Sequence, residues 1–211
     1  MNLEMEHVLP QDIERRSMEI IAQELGDRWL DDANADVIKR VIHTTADFDY
    51  ADTLCFSPSA VEKARAALQR GADIVTDTQM AKAGINKQRL GDLGGQVHCF
   101  MSDEDVAKAA KEQGTTRAVA SMDKALSLQK PLIFAIGNAP TALIRLYEHI
   151  QEERIRPELV IGVPVGFVNV VYAKELIMQA DVPFIVARGR KGGSNVAAAI
   201  VNALLYGMGK R

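Results

Sequence analysis

Six short apolar runs, most of them separated by segments of helical spacing, constrain this chain more than any other feature. The runs are TLCF (Thr53–Phe56), DIVT (Asp73–Thr76), QVHCF (Gln96–Phe100), LIFAIG (Leu132–Gly137), LVIGV (Leu159–Val163) and FIVARG (Phe184–Gly189). Between most of them lie helical patterns over Pro58–Arg70, Asp103–Gln113, Thr115–Leu128, Thr141–Glu152 and Val170–Ala180, and Asn195–Tyr206 closes the series. Upstream, Gln11–Leu25 places Ile13, Ile20, Ile21 and Leu25 at helical spacing, and Asp31–Ile42 does so with Val37, Ile38, Val41 and Ile42. Strands that read as continuous apolar runs between helices predict a parallel sheet covered on both faces. No repeat and no Pro/Gly/Ser linker interrupts the pattern. Residues 1–211 therefore read as one α/β domain with its first two helices packed onto the sheet.

In such a sheet, ligands bind beyond the carboxyl ends of the strands. That rule selects four loops: DTQMAKAG, GNAPTA, GVPVGF and RGRKGGSN. Three of them are rich in Gly or Pro and lead into helices, whose first N–H groups carry a partial positive charge. They suit a ligand bearing several anionic groups. Gly192 and Gly193 are expected to let a ligand approach those donors closely. Replacing either with valine should then cost affinity more than stability, unless the backbone there needs φ > 0.

Charge and composition narrow the partners. Lys plus Arg total 25 and Asp plus Glu total 28, a formal charge of −3, and aromatics make up 5%. A nucleic-acid-binding chain would want a basic balance and stacking platforms. Only Cys55 and Cys99 occur, which points to a reducing cytoplasm rather than a disulfide scaffold. The N-terminus lacks an apolar signal core. The longest apolar stretch, Leu159 to Ala173, is broken by Gly162, Pro164, Gly166 and Asn169, so no membrane span is expected. No GxGxxG follows a strand, no GxxxxGK[ST] is present, and CxxC, HExxH and GxSxG are absent. Neither a nucleotide site nor a protein metal site is expected.

Of the four histidines, His43 has the most reactive surroundings. It closes a helical segment and precedes TTADFD, with two hydroxyls and two carboxylates, while Arg40 lies three residues earlier on the same face. His149 falls near a helix end, where a cation complements the dipole, and His7 lies in the terminal segment.

RVIHTTADFDY (Arg40–Tyr50) resembles the active-site signature of the precorrin isomerases, the precorrin-8X methylmutases. IGNAPTALIRLYE (Ile136–Glu148), VIGVPVGFVNVVYAKE (Val160–Glu175) and RGRKGGSNVAAAIVNAL (Arg188–Leu204) resemble further stretches of that family, in its order. So do ERRSMEII (Glu14–Ile21), FSPSAVEKARAAL (Phe56–Leu68) and GTTRAVA (Gly114–Ala120), so the likeness covers essentially the whole chain.

The resemblance implies a flavodoxin-like α/β sandwich that works as a homodimer with sites near the interface. It implies the shift of a methyl group from carbon 11 to carbon 12 of ring C of a tetrapyrrole, without redox or nucleotide cofactor. His43 matches the family's catalytic histidine. Ser17 and Arg40 match substrate contacts, with Arg15, Arg16 and Arg117 matching more loosely. Thr44, Gly137, Asn138, Arg188, Arg190, Gly192 and Gly193 complete the expected substrate-binding set. HTTADF looks like the cobalt-containing, oxygen-independent branch, and the metal-free precorrin-8X reaction is the alternative. A non-catalytic corrinoid carrier and a nucleotide-binding module are the rivals from other classes. The retained His43 opposes the first, and the missing phosphate motifs oppose the second.

Overall fold

A computed structural model describes residues 6–28 and 30–209. Eleven helices and six strands follow in order: α1 (Ile13–Leu25), α2 (Asp32–Thr45), α3 (Tyr50–Thr53), β1 (Leu54–Phe56), α4 (Ala60–Gln69), β2 (Asp73–Thr76), α5 (Gln79–Gly84), α6 (Lys87–Asp92), β3 (Val97–His98), α7 (Glu104–Glu112), α8 (Arg117–Ala125), β4 (Leu132–Ile136), α9 (Pro140–Gln151), β5 (Leu159–Gly162), α10 (Val170–Gln179), β6 (Phe184–Ala187) and α11 (Ser194–Tyr206). The six strands form one sheet in the order β1-β6-β5-β4-β2-β3. Strands β2 to β6 are parallel and follow the flavodoxin order, with the topological switch between β2 and β4.

One strand departs from the sequence expectation. β1 pairs antiparallel with β6, Leu54 opposite Ala187. It is a three-residue edge strand that follows α3 directly. Run patterns report burial and not direction, and antiparallel edge strands on parallel sheets are common. Three short helices, α3, α5 and α6, also arise where only loops were expected.

Alternate strand residues feed two cores. Ile74, Ile133, Ala135, Ile161 and Ile185 join α1, α2, α4 and α11 on one face. Val75, Phe134, Ile136, Val160 and Val186 join α8, α9 and α10 on the other. Each fully buried Val, Leu, Ile or Phe contributes about 1.5–3 kcal/mol. The alanines of α11, among them Ala197, Ala198 and Ala203, are buried, and their small side chains let α2 and α5 pack closely on it. α2 begins at Asp31, whose side chain accepts from Ala33 N–H, and ends at Ala46 in a left-handed conformation.

Candidate active site

Periodicity decides which way His43 points. Val37, Ile38, Val41 and Ile42 bury one stripe of α2, so His43 and Thr44 fall on the exposed side of its last turn. Thr44 and Thr45 donate back to the carbonyls of Arg40 (2.9 Å) and Val41 (2.8 Å), which ties the helix end together. Arg40 lies one turn earlier. Its guanidinium meets Glu14 of α1 at 2.5 Å and stacks over the Tyr206 ring at 5.3 Å, with the side chain 20% exposed.

The loop after β6 reaches this helix end. Lys191 Nζ lies 2.6 Å from both Asp47 and Asp49, four and six residues past His43. These two carboxylates hold the Lys191 ammonium well above the usual lysine range, and Lys191 in turn lowers the Asp47 carboxyl. The segment just past His43 is thereby tied to RGRKGGSN, the loop at the carboxyl end of β6. Their sequence separation is large, and the salt bridge is what joins them.

The carboxyl-edge loops grip one another. At the switch point, the buried Asp77 carboxylate accepts from the backbone N–H groups of Gly137 (2.9 Å), Asn138 (2.8 Å) and Ala139 (2.6 Å). Burial pushes the Asp77 carboxyl up, and the three N–H donors oppose that rise. This corrects the expectation for GNAPTA: the donors at the start of α9 are committed to the protein's own carboxylate. The same contact argues against a phosphate-binding module, because an anion already fills the position. The side chain of Asn138 remains exposed. Thr78 and Ser194 share a hydrogen bond of 2.7 Å, joining the loops after β2 and β6.

The glycines are built into this interlock. A Cβ on Gly137 would sit 2.7 Å from Gly193 O, and one on Gly192 would sit 2.1 Å from Val163 O. Gly192 and Gly193 adopt φ of +157° and +143°, so the exception reserved for positive φ applies to both. Valine at either position is thus expected to cost stability as well, since the Val163 backbone lies where a Cβ on Gly192 would go and the Asn195 side chain lies 2.5 Å from one on Gly193.

The remaining candidates separate into groups. Ser17 bonds Ile13 O at 2.9 Å on α1, where Arg15 pairs with Asp12 and Glu19, and Arg16 with Glu6 and Glu19. Arg188 pairs with Glu175 on α10, and the Arg190 guanidinium lies 5.4 Å from the Phe167 ring centre. Arg117 starts α8 on the other face of the sheet, with the adjacent Thr116 hydroxyl 3.3 Å from that of Thr141. The structure ties the segment just past His43 to the β6–α11 loop, sets Arg40 against Glu14 and Tyr206 at the far end of α11, and places Arg117 on the opposite layer.

Several large apolar side chains are exposed, Phe167 among them beside Arg190. Phe167 is 81% and Val168 77% exposed, with Met80 and Tyr172 also outward. A cleft of about 600 Å³ lies beside Asn86, Arg89 and Leu205, where Arg89 shares the Tyr206 ring with Arg40, and another of about 610 Å³ lies beside Ser57, Arg156 and Phe184. His149 is not a solvated helix-end cation: it is buried, with Nε2 2.7 Å from Asp123. Its sequence position near the end of α9 could not show that α8 would cover it. Among the described residues, no helix is long and apolar enough to cross a membrane, and no group of three His, Cys, Asp or Glu side chains could hold a metal.

Asp77, Lys174 and Tyr206 escaped the sequence reading. An aspartate directly after a strand, and a lysine inside the apolar helix VVYAKELIM, were the available signals for the first two.

The sequence profile of the precorrin-8X methylmutase family matches residues 12–207. A cobalt-precorrin-8 methylmutase of Salmonella typhimurium is 48% identical over 203 residues, covering 93% of this chain and 95% of its own. One of Priestia megaterium is 45% identical over 197 residues, covering 93% and 88%. The crystal structure of the precorrin-8X methyl mutase from Thermus thermophilus superposes with a TM-score of 0.85 at 40% identity, covering 92% of this chain and 96% of the other. With motifs, sheet order and structural match in agreement, the chain belongs to the precorrin-8X methylmutase family and is an isomerase of the methylmutase class.

Proposed function

We propose that the chain isomerises cobalt-precorrin-8, moving the ring C methyl group from carbon 11 to carbon 12, with His43 as the acid. The observation that carries this reading is that Lys191 of the β6–α11 loop is tied to Asp47 and Asp49 just past His43, with Arg40 one turn earlier on the same helix. A flat tetrapyrrole needs an apolar surface with anion-binding points around its rim. Phe167 and Val168 offer the first, and Arg40 and Arg190 the second, arginine being shaped for bidentate carboxylate contact.

The methyl group stays on the macrocycle throughout, so no protein nucleophile is required. Protonation of a ring nitrogen by His43 withdraws electron density from the conjugated system. The bond from methyl to carbon 11 then breaks as that to carbon 12 forms, and the proton returns to the imidazole. An imidazole can both give and recover that proton.

HTTADF after His43 and the cobalt-precorrin-8 names of the Salmonella and Priestia relatives favour the cobalt-containing substrate. We assign the enzyme to the cytoplasm and to a homodimer. Phe167 and the adjacent Val168 are 81% and 77% exposed, a contiguous apolar pair that a second copy would cover. An absorbance assay with both tetrapyrroles tests the assignment. Turnover of cobalt-precorrin-8 should exceed that of metal-free precorrin-8X. The reverse order would place the enzyme on the metal-free branch, and binding without turnover would make it a carrier.

Arg40→Ala separates binding from folding. Losing a charge-assisted hydrogen bond should weaken affinity for a corrinoid product by about 1.5–3 kcal/mol. If Arg40 merely tethers α1 through Glu14, the dissociation constant will stay unchanged while the melting temperature falls. Calorimetric titration and thermal unfolding distinguish the two.

A further inference from the structure

Lys174 lies in the middle of α10 with its side chain wholly buried, in a helix that also buries Val170, Ala173 and Ile177. Burying an ammonium group without a carboxylate partner is costly, and leucine or methionine would avoid the cost. Its Nζ donates instead to two backbone carbonyls of the β6–α11 loop, Gly189 and Lys191, each at 2.8 Å. The carbonyl between them, of Arg190, accepts from Gly166 N–H at 3.2 Å. Three successive carbonyls are thus held by the protein. The side chains of Arg190 and Lys191 are exposed at the surface, and Lys191 reaches Asp47 and Asp49 beyond His43.

The nearby charged groups are already engaged. Glu175, next on the same helix, pairs with Arg188, and Asp47 and Asp49 with Lys191. α9, packed against α10, directs Arg145 and His149 to Asp123. Burial alone therefore sets the amine, lowering it to about 8. A folded value below the unfolded 10.5 means the folded state binds fewer protons between those limits. The lysine's contribution to stability then rises as pH climbs from about 8 towards 10.5, and the penalty is complete below that window. Stability at neutral pH does not explain why an amine stands here.

We propose that Lys174 is a positioning residue of the methylmutase reaction, fixing the Gly189–Lys191 turn so that Arg190, Lys191 and the segment after His43 meet the macrocycle in register. The proposal rests on the functional reading above. It acts through the loop, since the amine itself is sealed from solvent.

The test compares wild type with Lys174→Met, which removes the donors, and Lys174→Gln, which keeps two N–H groups without the charge. Amide exchange at Gly166 and Gly193, steady-state KM and kcat, and melting temperature are measured on each full-length protein. Lys174→Met should speed exchange in the loop and raise KM about tenfold, the effect of one lost charge-assisted hydrogen bond, with kcat much less affected. Its melting temperature should hold or rise near neutral pH. Lys174→Gln should recover part of the KM, and it carries the test if the methionine variant does not fold. Wild-type exchange rates, or faster exchange with unchanged KM, would overturn the proposal. A wild-type protein inactive on both tetrapyrroles would overturn the functional reading, and the exchange data would still report separately whether the clamp exists.

Discussion

Replacing His43 with alanine should reduce methylmutase turnover by about 10²–10⁴-fold, the usual range for a positioned general acid. The same change should leave the fold nearly untouched. His43 is exposed on α2, and the packing of that helix rests on Val37, Ile38, Val41 and Ile42. Exposed substitutions away from caps and cores usually fall within about ±0.5 kcal/mol. Corrinoid affinity should also survive, because the proposed anion contacts belong to Arg40 and the β6–α11 loop. Absorbance kinetics, thermal unfolding and product titration together check all three parts. Near-normal turnover in the folded variant would remove His43 from the chemistry.

Gly192→Val is expected to damage folding more than any other change at the carboxyl edge. The backbone φ of +157° is one that L side chains rarely adopt. The added Cβ would lie 2.1 Å from Val163 O and 2.8 Å from Val163 C, both backbone atoms at the end of β5. Those atoms belong to the interlock in which Gly193 N–H donates to Val163 O at 2.9 Å. Relief requires moving either the strand end or the start of α11. Backbone strain and overpacking of this kind together cost about 3–5 kcal/mol. Chemical denaturation should register the loss directly, with a large fall in midpoint. A variant as stable as wild type but weak in corrinoid binding would return Gly192 to the role of a ligand-approach residue.

Much of the fold was legible because burial leaves a local trace. DIVT coincides with β2, Asp73–Thr76, and the apolar run Leu132–Gly137 overshoots β4 by one residue. The start of α10 at Val170 agrees as well. β2 and β4 are buried throughout and read as continuous apolar runs, while α10 buries Val170, Ala173 and Ile177 on the helical period. β1 failed on direction only. α5 and α6, six residues each, are too short to develop a helical stripe, and their starts depend on Thr78 and Asn86 as capping acceptors.

The candidate-site residues divide along the same line. His43 and Arg40 were legible together because three residues of one helix separate them, and the family motif marks both. Their relation to Lys191 was not, since the partners of Asp47 lie 144 residues away along the chain. Nor could the sequence show that Asp77 takes the donors of Gly137, 60 residues on, and so removes them from any ligand.

By itself, then, the sequence determined the order of the strands and long helices, the parallel core of the sheet and the membership of the family, and it singled out His43 as the candidate acid. These follow from patterns of apolar spacing and from a motif contained within one helix and its exit. Only the tertiary structure decided which polar groups are free for a substrate. A backbone N–H or a buried amine takes whichever acceptor the fold brings within about 3 Å. At this edge the acceptors are Asp77 and the carbonyls of Val163, Gly189 and Lys191, chosen by loops that meet only after the sheet has formed.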